Sequence, residues 1–218
     1  MSKRFYWKKI KPVLLSVAIC SLFFLIIMAI TSNRTGNLTI YVDRTSVTKS
    51  LTLSESQTFD KKYGKIQGPS INKAWDFRED DLPSYTDLMD GNNSTDYYIA
   101  YTFYLLNSGT DSLDYSMRFE IENVSKDLDE AIRVRLYTDE KLVTYAKKSP
   151  VTGEAEGGTT AFESDKYIMT NTVTDFKPNQ YTKYTIVVWV ETDDKECTND
   201  KIGGSITLSL GFSVLDLV

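Results

Sequence analysis

The chain has no histidine in 218 residues, and that absence excludes whole classes of chemistry. It removes every Ser-His-Asp or Cys-His arrangement, every imidazole acid or base and every histidine-containing zinc site. Cysteine is scarce, with Cys20 and Cys197 alone. Cys20 falls in an apolar run and Cys197 far along a polar region, so the two cannot pair within one chain and no disulfide framework exists. There is no P-loop, no GxGxxG, no GxSxG and no CxxC. Acidic residues are missing from the first 31 positions, which hold the bases Lys3, Arg4, Lys8, Lys9 and Lys11. The remainder carries 20 basic against 30 acidic residues, a net of −10. Such a surface, without a basic patch, argues against nucleic-acid binding. What is present, 41% hydrophobic and 25% charged residues, is the composition of a folded chain.

From Val13 to Ile30 runs VLLSVAICSLFFLIIMAI, uncharged throughout. As a helix at about 1.5 Å per residue it would span about 27 Å, enough for a bilayer core at the short end. A cleaved signal sequence begins in the same way, but its apolar part is usually shorter and ends in a small-x-small site; here only Ala29-x-Thr31 is on offer. A single uncleaved anchor is the expectation, and a cleaved signal is its alternative. A lipid-modified cysteine is not expected, because Ile19 precedes Cys20. The bases before the run place the N-terminus in the cytoplasm and the acidic remainder outside. The expected organisation is a cytoplasmic basic tail (1–12), a transmembrane anchor (13–30), a short linker (31–36) and an extracellular domain (37–218). The linker reaches only ~20 Å even when extended, which would keep the domain against the membrane surface.

The outer region alternates in twos. Leu38, Ile40 and Val42 alternate with polar residues; so do Tyr115, Met117, Phe119 and Ile121, then Ile132, Val134 and Leu136. Tyr184, Ile186, Val188 and Val190 form one face of a further strand, and Ile206, Leu208, Leu210, Phe212 and Val214 one face of the last. The run from Tyr97 to Leu106 is almost continuously aromatic and aliphatic, the mark of a central strand buried on both faces. No stretch of helical length is amphipathic beyond the anchor, and 127–131 has room for one turn. Strands at this spacing predict an all-β fold, an antiparallel β-sandwich of Ig-like or jelly-roll type. Residues 60–95 and 149–164 are polar insertions and are expected as long loops on one rim.

Candidate chemistry is thin. Glu120 and Glu122 share a strand face, the arrangement of a glycosidase pair, but alternation alone puts both on the solvent side. Glu191, Asp193, Asp194, Glu196 and Asp200 crowd one interstrand loop, and residues 90–96 form a second oxygen-rich loop. Neither keeps an EF-hand spacing, so no tight calcium site is expected. Cys197 has acids around it and no base to activate it, which makes it an inert thiol. The 24 Tyr and Phe residues could build a glycan-binding face, although on alternating strand positions they usually form core. No catalytic, cofactor-binding or metal residues are therefore assigned.

Five segments carry a resemblance: YIAYTFYLLN from Tyr98, DEAIRVRLY from Asp129, KYTIVVWVE from Lys183, DDKECTND from Asp193 and IGGSITLS from Ile202. Together they resemble a set of uncharacterised exported or membrane-anchored proteins of Gram-positive bacteria, which read W-x-E-G-D-D-P-E-C in the acidic loop. The sparse cysteines resemble that export route too, in which the triplets at Asn92, Asn93 and Asn123 carry no glycosylation. That set is distantly similar to the TasA/camelysin group of biofilm-matrix proteins, which implies a jelly-roll β-sandwich with a non-enzymatic structural role. Thr192 and Lys195 stand where the set has Gly and Pro, so a tight turn or cation site in the loop is not carried over. The protease activity described for camelysin is not carried over either, because no metal triad or activated nucleophile is present. The expected function is a membrane-anchored extracellular module with a structural or interaction role at the cell envelope, without catalysis. Its expected partners are the membrane, through Val13 to Ile30, and envelope proteins or wall polymers. A secreted matrix-fibre subunit and a glycan- or wall-polymer-binding module are the alternatives.

Overall fold

The computed structural model describes residues 16, 17, 19–22, 36–71, 76–139 and 141–215. The chain divides into two units, Met1–Arg34 and Thr35–Val218. In the first, Ser16, Val17 and residues 19–22 are helical and exposed. The rest of the expected anchor lies outside the described residues. No helix among the described residues is long and apolar enough to cross a membrane.

The second unit is a sandwich of two sheets. Its strands are β1 (Gly36–Val42), β2 (Leu51–Ser54), β3 (Lys65–Ile71), β4 (Gly91–Asn92), β5 (Tyr98–Asn107), β6 (Leu113–Ser125), β7 (Ile132–Thr138), β8 (Lys141–Ala146), β9 (Thr160–Ala161), β10 (Tyr167–Phe176), β11 (Tyr181–Val190) and β12 (Ser205–Val214). Sheet 1 has the order β10-β6-β12-β1-β3, and sheet 2 the order β2-β5-β11-β7-β8-β9 with β4 beside β5. Every strand expected from alternation is present, and the expected inward faces are the buried ones. Between the sheets Phe103, Tyr115, Phe176, Tyr184 and Phe212 pack ring against ring at 5.1–6.1 Å between centroids. The two hydroxyls this cluster buries, on Tyr115 and Tyr184, satisfy each other at 2.9 Å.

The sheets are not purely antiparallel. β1 lies parallel to β12 from Gly36 opposite Ile206 to Val42 opposite Phe212, and β8 runs parallel to β9. A parallel pair needs a long crossover, and here almost the whole domain supplies it. In consequence β1 begins at the end of the sandwich where the acidic loop leads into β12.

The first insertion is not a rim loop. Part of it forms β3, whose Gly68 and Pro69 fall within the irregular pairing with β1 between Asn37 and Thr39; proline is tolerated there because β3 is an edge strand. Residues 76–90, which we term the strap, cross the outer face of sheet 2 and bury a second small core of Phe77, Tyr98, Ala100, Val187 and Trp189, with Leu82 and Tyr137 against it. This third layer covers Tyr98 and Ala100 on the outer side of β5, and Phe59 and Tyr181 pack on Tyr104 further along; all ten residues of β5 are buried. A five-residue helix, α1 (Arg44–Thr48), follows β1. Asp43 caps it by accepting from the Thr45 N–H at 2.8 Å. The turn expected at 127–131 is a 3-10 turn at Leu128–Glu130.

Candidate functional site

The acidic loop is the richest cluster of polar chemistry on the molecule, and its side chains hold neighbouring segments in place. Trp189, the last outward-facing residue of β11, is fully buried beneath the strap. Its indole Nε1 donates to Glu191 Oε2 at 3.0 Å, and the same oxygen accepts from the Glu79 N–H at 2.9 Å. The Arg135 guanidinium lies 5.2 Å from the Trp189 ring centroid and pairs with Glu79. Thr192 donates from both its N–H and its hydroxyl to the Phe77 carbonyl, at 3.1 and 2.8 Å. Asp193 pairs with Arg78 at 2.9 Å. The start of the strap is thus bound to the rim by five polar contacts at Phe77, Arg78 and Glu79.

The other half of the loop holds the second insertion. Arg133, on the outward face of β7, has a guanidinium only 3% exposed. Its Nη2 meets Asp194 Oδ2 at 2.5 Å and also pairs with Glu156. Glu196 accepts from the Ser149 hydroxyl, and its N–H donates to Asp194 Oδ1 at 2.9 Å. Oxygens of Glu156, Asp194 and Glu196 lie within 4.8 Å of one another. This is the donor set of a cation site, but Arg133 already places a positive charge against two of its three carboxylates. Burial, followed by a hydrogen bond with Glu196, pushes the Asp194 carboxyl up to about 6, and Glu196 is correspondingly lowered. One arginine against three carboxylates leaves an excess of negative charge, which a proton on Asp194 relieves.

Cys197 is half-buried and packs against the main core. Burial, reinforced by the Asp194 and Glu191 charges, raises its thiol pKa and outweighs the opposing Lys201 and Arg133 charges, so the thiolate is disfavoured. The loop ends in a 3-10 turn at Asn199–Lys201 and the Gly203-Gly204 pair. A Cβ on Gly204 would lie 2.9 Å from the Lys201 carbonyl and 3.0 Å from that of Ser125, so only glycine fits between those backbones.

The remaining candidates lie elsewhere. Glu120 and Glu122 are on the outer face of sheet 1, as alternation places them. Glu120 faces Lys166 at 3.4 Å and Arg118 at 4.0 Å, while Glu122 accepts from Ser209 at 2.6 Å. The 90–96 loop satisfies itself. Asp90 accepts from the Tyr104 hydroxyl at 2.6 Å, and the Asn93 amide donates to the Met89 carbonyl at 3.0 Å. Arg133, Glu156 and the strap went unnoticed in the sequence as site components. The one available signal was a charged residue, Arg133, alternating with apolar ones at the start of a strand.

No protein-family model and no curated protein matches the sequence. Among the solved structures that show a faint likeness are two of a β-glucosidase from Kluyveromyces marxianus. The glucose complex has a TM-score of 0.27 at 11% identity, over 77% of this chain and 16% of the other. The selenomethionine-labelled form has a TM-score of 0.26 at 9% identity over the same shares. A likeness at that level carries no argument for either fold or activity.

Proposed function

We propose that the chain is a single-pass, membrane-anchored protein whose β-sandwich lies outside the cell in a structural or interaction role at the bacterial envelope, without catalysis. The observation that carries the membrane part is the uncharged run from Val13 to Ile30 behind five bases and no acids. In favour of a non-catalytic role, the carboxylates of the acidic loop are committed to contacts within the chain: Glu191 to the strap, Asp193 to Arg78, Asp194 and Glu156 to Arg133. A group spent on holding two insertions in place is a poor general acid or base. The TasA/camelysin resemblance agrees with this role and with a jelly-roll class of sandwich. The fibre alternative is less favoured, because β1 occupies an interior position of its own sheet between β12 and β3.

The test is topological. Protease added to intact protoplasts should digest the domain beyond residue 34 and spare a tag fused at Met1. Protection of the domain, or its quantitative release into the medium with a new N-terminus near residue 31, would refute the anchored reading.

A further inference from the structure

The two sheets differ in what covers their outer faces. Sheet 2 lies under the strap, whereas no described residue of the second unit covers the outer face of sheet 1, which carries a groove of about 740 Å³ running over β3, β1, β12 and β6. Register places Lys65, Tyr41, Gly211 and Arg118 in one row across these strands, and Gln67, Thr39, Ser209 and Glu120 in the next. The first row is built around Gly211. A Cβ there would sit 2.7 Å from Cζ and Oη of Tyr41 and 3.1 Å from its Cε2. The distal half of the tyrosine ring therefore lies directly over the glycine, close to the sheet, and the ring borders the groove. Around it stand Thr39, Thr207, Ser209, Glu122 and Lys65.

The chemistry of this face selects its ligand. In the groove lining Asp43 and Glu122 are matched by Arg44 and Lys65, so the groove has no net charge with which to attract a polyanion or polycation. The groove offers one exposed aliphatic side chain, Val47 at its end, whereas the centre of a protein interface needs several apolar or aromatic anchors. What the face does present is an aromatic ring ringed by hydroxyl, carboxylate and ammonium groups. That suits a ligand with C–H faces to lay on the ring and hydroxyls to exchange hydrogen bonds at its rim. We propose that the outer face of sheet 1 binds an uncharged oligosaccharide chain, with Tyr41 as the stacking platform and Glu122, Thr39 and Lys65, which line the groove beside it, as hydrogen-bonding partners. This goes beyond the envelope role and does not depend on the anchor.

The full chain, purified in a non-glycosidic detergent, is titrated calorimetrically with neutral hexasaccharides of β-1,3- and β-1,4-linked glucose, β-1,4-linked N-acetylglucosamine and α-1,4-linked glucose. At least one should bind saturably. Tyr41→Ala should weaken that binding at least about tenfold, the equivalent of ~1.4 kcal/mol, while Tyr41→Phe should keep it within about threefold. Gly211→Ala should weaken it too, because the new methyl displaces the ring. Should Gly211→Ala fail to fold, the contrast of Tyr41→Ala with Tyr41→Phe decides alone. No saturable binding of any hexasaccharide at millimolar concentration would overturn the proposal. So would binding indifferent to Tyr41→Ala, or capture only of an anionic polymer that is lost at raised salt.

Discussion

Arg133 and Asp194 show how one residue pair can govern a rim. A guanidinium buried on the outer side of β7 is tolerable because two carboxylates meet it, and those carboxylates sit on two different segments, the acidic loop and the second insertion. Burial, followed by the hydrogen bond with the third acid Glu196, raises the Asp194 carboxyl to about 6. An acid whose folded pKa exceeds its unfolded one binds its proton more tightly in the fold. Its contribution to stability is present at low pH and is lost as pH rises from the ordinary carboxylate range through about 6. Asp194→Asn should therefore gain in stability relative to the parent as pH rises from about 4 to 7, read as the difference in urea midpoint at each pH. A difference that moves against the variant over this window would show that the Arg133 attraction outweighs burial.

Cys197 is simpler. It packs beside the core with no bridge to lose, so Cys197→Ser should change the unfolding free energy by less than about 1.5 kcal/mol. A native dimer linked through this thiol would contradict that expectation.

Among the elements the strap is the distinctive one. It has little regular structure of its own and is held by Phe77 in the second core and by the polar contacts of Glu191, Thr192 and Asp193. Stability of this kind is local, because the strap can open without parting the sheets. Phe77→Ala removes its main apolar anchor, a change worth about 3–5 kcal/mol where the site cannot collapse. We expect limited proteolysis to cut within residues 79–90 at least several times faster in this variant, while amides of β6 and β12 keep their hydrogen-exchange protection. Equal loss of protection in both sheets would mean that the strap and the sandwich unfold as one unit. The strap also gives the tryptophan of the acidic motif a physical role. Trp189 faces away from the main core, and its burial depends on the second small core and on the Arg135 guanidinium beside its ring.

For the whole molecule the placement of β1 decides how copies can associate. A first strand at an edge could be donated to a neighbour, but β1 sits between β12 and β3, and its removal would leave sheet 1 split. The true edges of that sheet are blunted in part. β3 carries Pro69, and on β10 the Thr170 N–H is taken by Glu163 at 2.8 Å. The net charge of −10 beyond the basic tail adds repulsion between copies. Residues 34–218 should accordingly remain monomeric at moderate salt in sedimentation, with β-rich circular dichroism. Regular filaments in negative-stain images of that domain would show that β1 does exchange, and the matrix-fibre alternative would then replace the anchored module.

The sequence by itself determined whatever depends on near neighbours. Period-two alternation identified β1, β6, β7, β11 and β12 and the faces they bury, because a strand's side chains point to opposite sides whatever it pairs with, and a continuous apolar run identified β5. The missing histidine and unpaired cysteines removed whole chemistries without any fold being known. The strands that escaped, β2, β3, β4, β8, β9 and β10, are short, polar on both sides or broken by Gly68-Pro69, so local pattern and propensity spoke against them. Only the tertiary structure decided the parallel pairing of β1 with β12, the strap over sheet 2 and the seating of Tyr41 over Gly211. Each joins residues distant in the chain, and register between such segments is fixed by packing and pairing across the whole domain. The acidic loop shows both sides of this division. Its charge was legible as a string of acids; its purpose, two insertions held by Arg78, Arg133 and Trp189, depends on partners that folding alone brings within reach.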